Sequence, residues 1–265
     1  MDNREKKCAG IRTALITGAA AGIGLACATK LAENGFQVAI ADIDFGRASI
    51  AAEELKSAGC SALAIRMDVT NEEEVNDGVA ECVSAFGGLD VLVSNAGIQI
   101  VHPFEEYPFS DWKKMMSIHA DGAFLTSRAA YIHMKANGGG KIIFIGSVAS
   151  YEVSPLKAAY SFAKHGILGL SRVIAIEGAA HKIHTYTVCP AFVRTALVEK
   201  QIPEQAREFG MTEDEVVRDI MLKHTVDGQF TTLEEVARTV QFAADDIDGS
   251  FTGQSFLVAH GYCMR

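Results

Sequence analysis

Tyr160 and Lys164 stand four residues apart in AAYSFAKHGILGL, a stretch with helical periodicity, so their side chains share one helix face. A phenol with a pKa of about 10 is a poor base at neutral pH. An ammonium beside it favours the phenolate, which can then take the proton of a hydroxyl. Ser147, 13 residues before Tyr160, follows an apolar run, and its hydroxyl can hold the same oxygen without carrying charge. Y-x-x-x-K alone is common on solvated helix faces. Joined to Ser147 and to a glycine turn near the start of the chain, it points to hydride transfer at an alcohol or ketone carbon, with Tyr160 as base.

That turn is Thr17-Gly18-Ala19-Ala20-Ala21-Gly22-Ile23-Gly24, between an apolar run and a helical stretch. Small residues let the backbone approach a pyrophosphate, and the following helix N-terminus offers N–H groups and partial positive charge. The spacing is GxxxGxG rather than GxGxxG, and it lacks the lysine of a P-loop. Asp42 ends the second apolar run, 24 residues after Gly18. A carboxylate there can accept hydrogen bonds from both ribose hydroxyls of an adenosine and repels a 2′-phosphate, so NAD is expected as cofactor rather than NADP. Asp44 competes with Asp42 for the cap of the next helix.

These residues need a scaffold, and the pattern supplies one. Short apolar runs at Thr13–Thr17, Phe36–Ala41, Ala62–Met67, Leu89–Ser94, Lys141–Gly146, His184–Val188 and Gln254–Val258 alternate with helical stretches such as Gly22–Asn34 and Leu233–Ala244. Runs apolar on both faces are expected of parallel strands covered on each side. The expected fold is α/β: a single doubly wound Rossmann-like domain over residues 1–265, with a seven-stranded parallel sheet and helices on both faces. Residues 196–230 are helical and charged with no strand, and are expected to form a substrate lid at the ligand-binding end of the sheet.

Composition narrows the remaining classes. A net charge of −9 with no basic cluster argues against nucleic acid. Cys8, Cys27, Cys60, Cys82, Cys189 and Cys263 are scattered singly, with no metal spacing, as in a reduced cytoplasmic protein. Met1–Arg12 is polar and lacks the apolar core of a signal peptide. No run of 18 apolar residues is present, so no membrane partner is expected.

TGAAAGIG, Asp68-Val69, Asn95-Ala96-Gly97, Ser147, Tyr160-x-x-x-Lys164 and Pro190 occur in the order and spacing of the short-chain dehydrogenase/reductase family, which the chain resembles from about Arg12 to Gly261. The resemblance implies a cofactor site at Gly18, Ala21, Gly22, Ile23, Gly24, Asp42 and Pro190, reaching Tyr160 and Lys164. It implies that Asp68 and Val69 flank the adenine and that Asn95, Ala96 and Gly97 pack beneath the cofactor. Val193 and Thr195 would hold the nicotinamide carboxamide. The family pattern places Asn where His119 stands, supporting a water linked to the lysine. His119 could relay protons there, or only fill space while its backbone carbonyl holds the water. The family also implies a homotetramer.

Within the family, NAGIQ (Asn95–Gln99), Lys157-x-x-Tyr160 and the stretch Cys189–Gln201 are most similar to bacterial (R)-3-hydroxybutyrate dehydrogenases. In that group the residues matching Gln99, Lys157 and Gln201 bind the substrate carboxylate, beside Ser147 and Tyr160. Phe192 and Tyr262 fall where the group has bulky aromatics. Ala149 stands where the group has a histidine, and His102 is a candidate to compensate. The resemblance implies interconversion of a small 3-hydroxy acid, 3-hydroxybutyrate, and its keto acid. Alternatives are another small polar substrate (a sugar, a polyol or a 3-oxoacyl thioester) or a catalytically silent NAD sensor. The retained Tyr160/Lys164 pair speaks against the sensor, and an acidic lid (Glu199, Glu204, Glu208, Glu213, Asp214, Glu215) against a thioester on a phosphorylated carrier.

Overall fold

The apolar runs form seven strands: β1 (Thr13–Thr17), β2 (Gln37–Asp42), β3 (Ala62–Arg66), β4 (Val91–Ser94), β5 (Gly140–Ile145), β6 (Ile183–Pro190) and β7 (Ser255–Val258). In this computed structural model, which describes residues 10–264, all neighbouring strands pair in parallel in the order β3-β2-β1-β4-β5-β6-β7. Cys8 and most of the polar N-terminal stretch lie outside the described residues. Element bounds differ from the sequence expectation by one or two residues, most at β6, which is longer at both ends. β7 is only half-buried, because it is an edge strand.

Helices close both faces, since residues alternating along each strand must bury in opposite directions. On one face Ala14, Ile16, Val38, Ile40, Val91 and Val93 pack under α1 (Gly22–Glu33), α2 (Phe45–Ser57) and α9 (Leu233–Asp245). On the other, Leu15, Ala39, Leu92, Ile142 and Phe144 pack under α3 (Glu72–Phe86), α5 (Gly122–Ala136) and α6 (Ala158–Gly178). The chain winds away from β1 in both directions, so a crevice opens between the ends of β1 and β4, where the connections part.

Two departures from regular helix bear on that crevice. α4 (Phe109–Met116) runs into α5 through one π-helical turn, Ser117–Asp121, which turns His119 into the interior. The strandless insertion folds as α7 (Ala196–Phe209), α8 (Glu213–Val216) and a second π-helical turn, Val217–Met221. It has its own small core of Val198, Ile202, Ala206, Val216 and Met221. A single bridge, Val193 to Thr231, ties its two ends together. Among the described residues no helix is long and apolar enough to cross a membrane.

Candidate active site

One cavity of about 460 Å³ runs along the C-terminal ends of the strands, from Asp42 and the glycine turn at one end to Tyr262 at the other. The structure gathers on it every residue proposed from the sequence for catalysis or for binding cofactor or substrate, except Gly24 and His102. Gly24 is a correction: a Cβ there would stand 2.4 Å from the Gly18 carbonyl oxygen and 2.6 Å from Asn95 Nδ2, so this glycine lets α1 pack on the turn and does not face a ligand.

At the first end, Gly18 takes a left-handed φ of +61°, and a Cβ there would meet Ala96 Cα at 2.7 Å. The turn is thereby pressed onto the Asn95-Ala96-Gly97 segment. Asn95 Nδ2 donates to the carbonyls of Thr17 (2.9 Å) and Gly18 (3.0 Å), locking the two together. α1 begins at Ala21 with no side-chain cap, whereas Asp44, Asn71 and Thr232 cap α2, α3 and α9. Its leading N–H groups are left for a phosphate. Asp42 Oδ2 accepts from Ala20 N (2.9 Å) and Oδ1 from Asp44 N (3.0 Å), which fixes the carboxylate and leaves lone pairs for ribose hydroxyls. Asp44 is the cap of α2, so the two acids divide the roles. Asp68 accepts from Thr70, and Val69, Pro190, Val193 and Thr195 line the middle of the cavity. Thr195 starts α7 without spending its hydroxyl on a cap. The glycine cradle, the bare helix start and the fixed carboxylate fit a dinucleotide.

In the middle lie Ser147, Tyr160, Lys164 and His119. Ser147 caps a single 3-10 turn, Val148–Ser150, accepting from Ala149 N at 3.1 Å, and its hydroxyl lies close enough to Tyr160 to lower the phenol. Lys164 Nζ donates to the Ile145 carbonyl at 2.6 Å and lies 5.6 Å from the Tyr160 ring centroid. Burial lowers the Lys164 ammonium to about 8. Burial also raises the Tyr160 phenol, with Ser147 pulling it back down. The expected lowering of the phenol by Lys164 is therefore not met in the protein alone: desolvation dominates, and the ammonium is committed to Ile145. His119 is buried, and burial with the nearby Lys164 ammonium lowers it to about 3, so it stays neutral. Its Nε2 is 2.8 Å from the Ile98 carbonyl, its ring meets Tyr160 edge-on at 5.5 Å, and Gly97 leaves space for it. A relay that titrates near 6.5 does not fit this environment.

At the far end, Lys157 is buried at the start of α6, its Nζ 4.5 Å from the Phe192 ring centroid. Burial lowers it to about 8, and among the described residues no carboxylate lies within ion-pair distance. Gln99 and Gln201 are buried nearby on the same cavity. Gln201 Nε2 donates to Leu197 O within α7 at 3.1 Å, and its Oε1 has no partner among the described residues, so as placed it presents an acceptor, whereas a substrate carboxylate would need a donor. Phe192 and Tyr262 stack edgewise, 6.3 Å between centroids. His102 does not reach the cavity: it pairs with Asp111 at 2.8 Å, so it does not replace a histidine at Ala149. Glu152 and Ser154 also line this end. No motif marks them; their only signal in the sequence is their place between Ser147 and Lys157.

Comparison with known proteins agrees with this arrangement. The family described as short chain dehydrogenase matches residues 12–206. The D-beta-hydroxybutyrate dehydrogenase of Rhizobium meliloti (strain 1021) is 39% identical over 96% of this chain and 99% of its own. The enzyme of the same name from Cupriavidus necator is 35% identical over 92% and 98%. A solved short-chain type dehydrogenase/reductase from Mycobacterium marinum superimposes with a TM-score of 0.86 at 29% identity, covering 96% of both chains.

Proposed function

The chain belongs to the short-chain dehydrogenase family, an oxidoreductase with a nicotinamide cofactor, and from that premise we propose that it is an NAD-dependent dehydrogenase of small hydroxy acids, interconverting 3-hydroxybutyrate and its keto acid. The observation that carries the substrate is Lys157: a buried ammonium with, among the described residues, no carboxylate within ion-pair distance, at the uncapped start of α6, in the same cavity as Tyr160. A charge held out of water without a partner is costly, and a substrate carboxylate would supply the missing partner. Two relatives named for hydroxybutyrate support the same choice.

Gly18, Ala21, Gly22 and Ile23 would hold the pyrophosphate, Asp42 the ribose, and Val193 and Thr195 the carboxamide. When bound, the oxidised dinucleotide supplies the hydride acceptor and a positive ring. Ser147 Oγ holds the substrate oxygen, and Tyr160 Oη takes the hydroxyl proton as the C–H electron pair leaves and C=O forms. Lys164 keeps positive charge beside the phenol as it ionises. His119, neutral, braces the Tyr160 ring and Gly97. Asp42 supports NAD over NADP, because its fixed charge repels a 2′-phosphate.

Assembly as a homotetramer is part of the proposal. The exposed apolar side chains Phe124 and Ile132 on α5, and Phe162 and Val173 on α6, support burial of that face. The functional test follows NADH formation with 3-hydroxybutyrate, longer hydroxy acids, polyols and neutral alcohols. Turnover confined to polyols or neutral alcohols removes the hydroxy-acid assignment.

A further inference from the structure

The lid returns to the body of the protein through residues 226–231, and the segment after β7 meets it there. His260 and Gly261 both take left-handed backbone, at φ +48° and +76°, and a Cβ at Gly261 would stand 2.7 Å from Val226 Cγ1. At His260 that conformation is unfavourable for a residue with a Cβ, and glycine would be free of the strain. A histidine held there against that preference points to a task for its side chain.

The His260 ring meets an acid at each nitrogen. Nδ1 lies 2.7 Å from Asp227 Oδ2, at the base of the lid, and Nε2 lies 3.2 Å from Glu235 Oε2, on the first turn of α9. A neutral imidazole carries one N–H and can bond only one of the two, whereas the imidazolium donates to both. The two acids hold the proton on the ring, raising His260 above its ordinary 6.5, and the ring in turn lowers Asp227. Both acids are fixed from the other side: Asp227 Oδ1 accepts from Gln229 N at 3.0 Å, and Glu235 closes a capping box with Thr232. Arg238, further along α9, lines the same surface hollow as His260 and Glu235 and pairs with Glu234 at 3.8 Å.

This cluster reaches the substrate end in two ways. The His260 carbonyl accepts from Val226 N at 2.8 Å, so backbone and ring grip consecutive residues of the lid's return. Two residues on, Tyr262 lines the cavity, with its ring 5.2 Å from that of His224 on the lid and 6.3 Å from that of Phe192. The base of the lid and one wall of the cavity thus share an anchor.

We propose that His260 is a positioning residue: as an imidazolium it latches the base of the lid and the Tyr262 wall to α9, and loss of its proton releases both, so that substrate is held less well as pH rises. Any substrate that enters beneath the lid feels this latch, hydroxy acid or not. Below pH 6.5 the ring is charged in folded and unfolded chains alike, and the latch is whole. As pH rises through the elevated native pKa, the ring no longer donates to both acids and the latch is lost.

The test follows hydrogen exchange of the lid peptides by mass spectrometry from pH 5.5 to 9, in the unmodified protein, His260→Asn and Asp227→Asn. Asparagine tolerates left-handed backbone and carries no titrating charge. Comparison at each pH cancels the intrinsic pH dependence of exchange. At pH 6 the lid of His260→Asn should exchange about three- to tenfold faster than the parent's, the scale of two partly exposed ion pairs, and at pH 9 equally fast. Asp227→Asn should shift the loss of protection to lower pH, because the ring then keeps one acid; a role in packing alone would not move it. KM for whichever alcohol the enzyme turns over should be about three- to tenfold higher in His260→Asn at pH 6, and equal to the parent's at pH 9. That ratio cancels Lys157 and Lys164, which titrate in both proteins. Thermal melts establish that each variant folds, and His260→Gly, which suits the backbone better still, replaces His260→Asn if that one does not. Equal exchange or equal KM at pH 6, a difference that stays constant from pH 5.5 to 9, or an unmoved midpoint in Asp227→Asn overturns this inference and leaves the hydroxy-acid assignment standing, since that is judged by the choice of substrate.

Discussion

Replacing Lys157 with methionine is expected to stabilise the protein while disabling it toward acids. The side chain is 7% exposed, and burial lowers its pKa to about 8 from an ordinary 10.5. At about 1.4 kcal/mol per tenfold change in proton affinity, keeping it charged at neutral pH costs about 3 kcal/mol. The Phe192 ring offsets about 1 kcal/mol of this. Methionine fills the same volume without charge, so Lys157→Met should gain about 2 kcal/mol, or roughly 4–8 °C in Tm for a chain of this size. Below pH 8 the lysine is charged in both the folded and unfolded states. Between pH 8 and 10.5 only the unfolded chain keeps the proton, so the native protein gains stability relative to the variant and the gap closes. Over the same substitution, kcat/KM for 3-hydroxybutyrate should fall by about a hundredfold or more, because a carboxylate enters with no cation to meet it. A neutral alcohol of similar size should be little affected. Denaturant unfolding at pH 7 and pH 10, with steady-state kinetics on both substrates, provides the assay. A variant less stable than the parent at pH 7 by 1 kcal/mol or more would mean that the ammonium is already compensated, and the case for an anion site would fail.

Four further outcomes are expected. Asp42→Ala should lower kcat/KM for NAD by about ten- to a hundredfold and shrink the preference over NADP, because the carboxylate fixes the turn at Ala20 as well as meeting the ribose; equal use of both cofactors by the parent contradicts this. Tyr160→Phe should reduce turnover by about 10²–10⁴-fold or more while NAD still binds by fluorescence; a variant keeping a tenth of the rate removes Tyr160 as base. His119→Ala should lower Tm, through a cavity beside Gly97 and Tyr160, and leave the acid limb of the pH–rate profile where it is, since His119 is neutral above about 3; a displaced limb would restore the proton relay. Finally, kcat/KM for 3-hydroxybutyrate divided by that for a neutral alcohol should decline as pH rises through about 8, where free Lys157 loses its proton. The ratio cancels Lys164, which titrates in the same range for both substrates, and a flat ratio separates Lys157 from substrate binding.

The sheet was legible because its strands bury both faces: Ala14 and Ile16 pack one way and Leu15 the other, leaving near-continuous apolar runs. Most residues of the candidate site were legible because they sit at strand ends or on the first turns of a helix, where local spacing survives folding. Other features depend on tertiary surroundings that no spacing encodes. Gly24 belongs to the motif yet faces the Gly18 carbonyl, since helix packing and ligand approach both call for glycine. The neutrality of His119 follows from a π-helical turn and from Lys164, which is distant in sequence. The upward shift of Tyr160 reflects burial that outweighs the lowering by Ser147, while the neighbouring ammonium of Lys164 is held by Ile145. His102 is drawn away by Asp111. Glu152 meets the cavity only because the segment after Ser147 folds back beside Tyr262 and the chain end.

The most direct test of the central claim is the ratio of kcat/KM for 3-hydroxybutyrate to that for 2-butanol, with NAD, at pH 7. The two alcohols present the same reacting group, and they differ in the carboxylate that Lys157 would bind. A carboxylate paired with a buried ammonium predicts a ratio of about 100 or more, as for a charge-assisted hydrogen bond worth about 3 kcal/mol. A ratio near one, or a preference for 2-butanol, would contradict it.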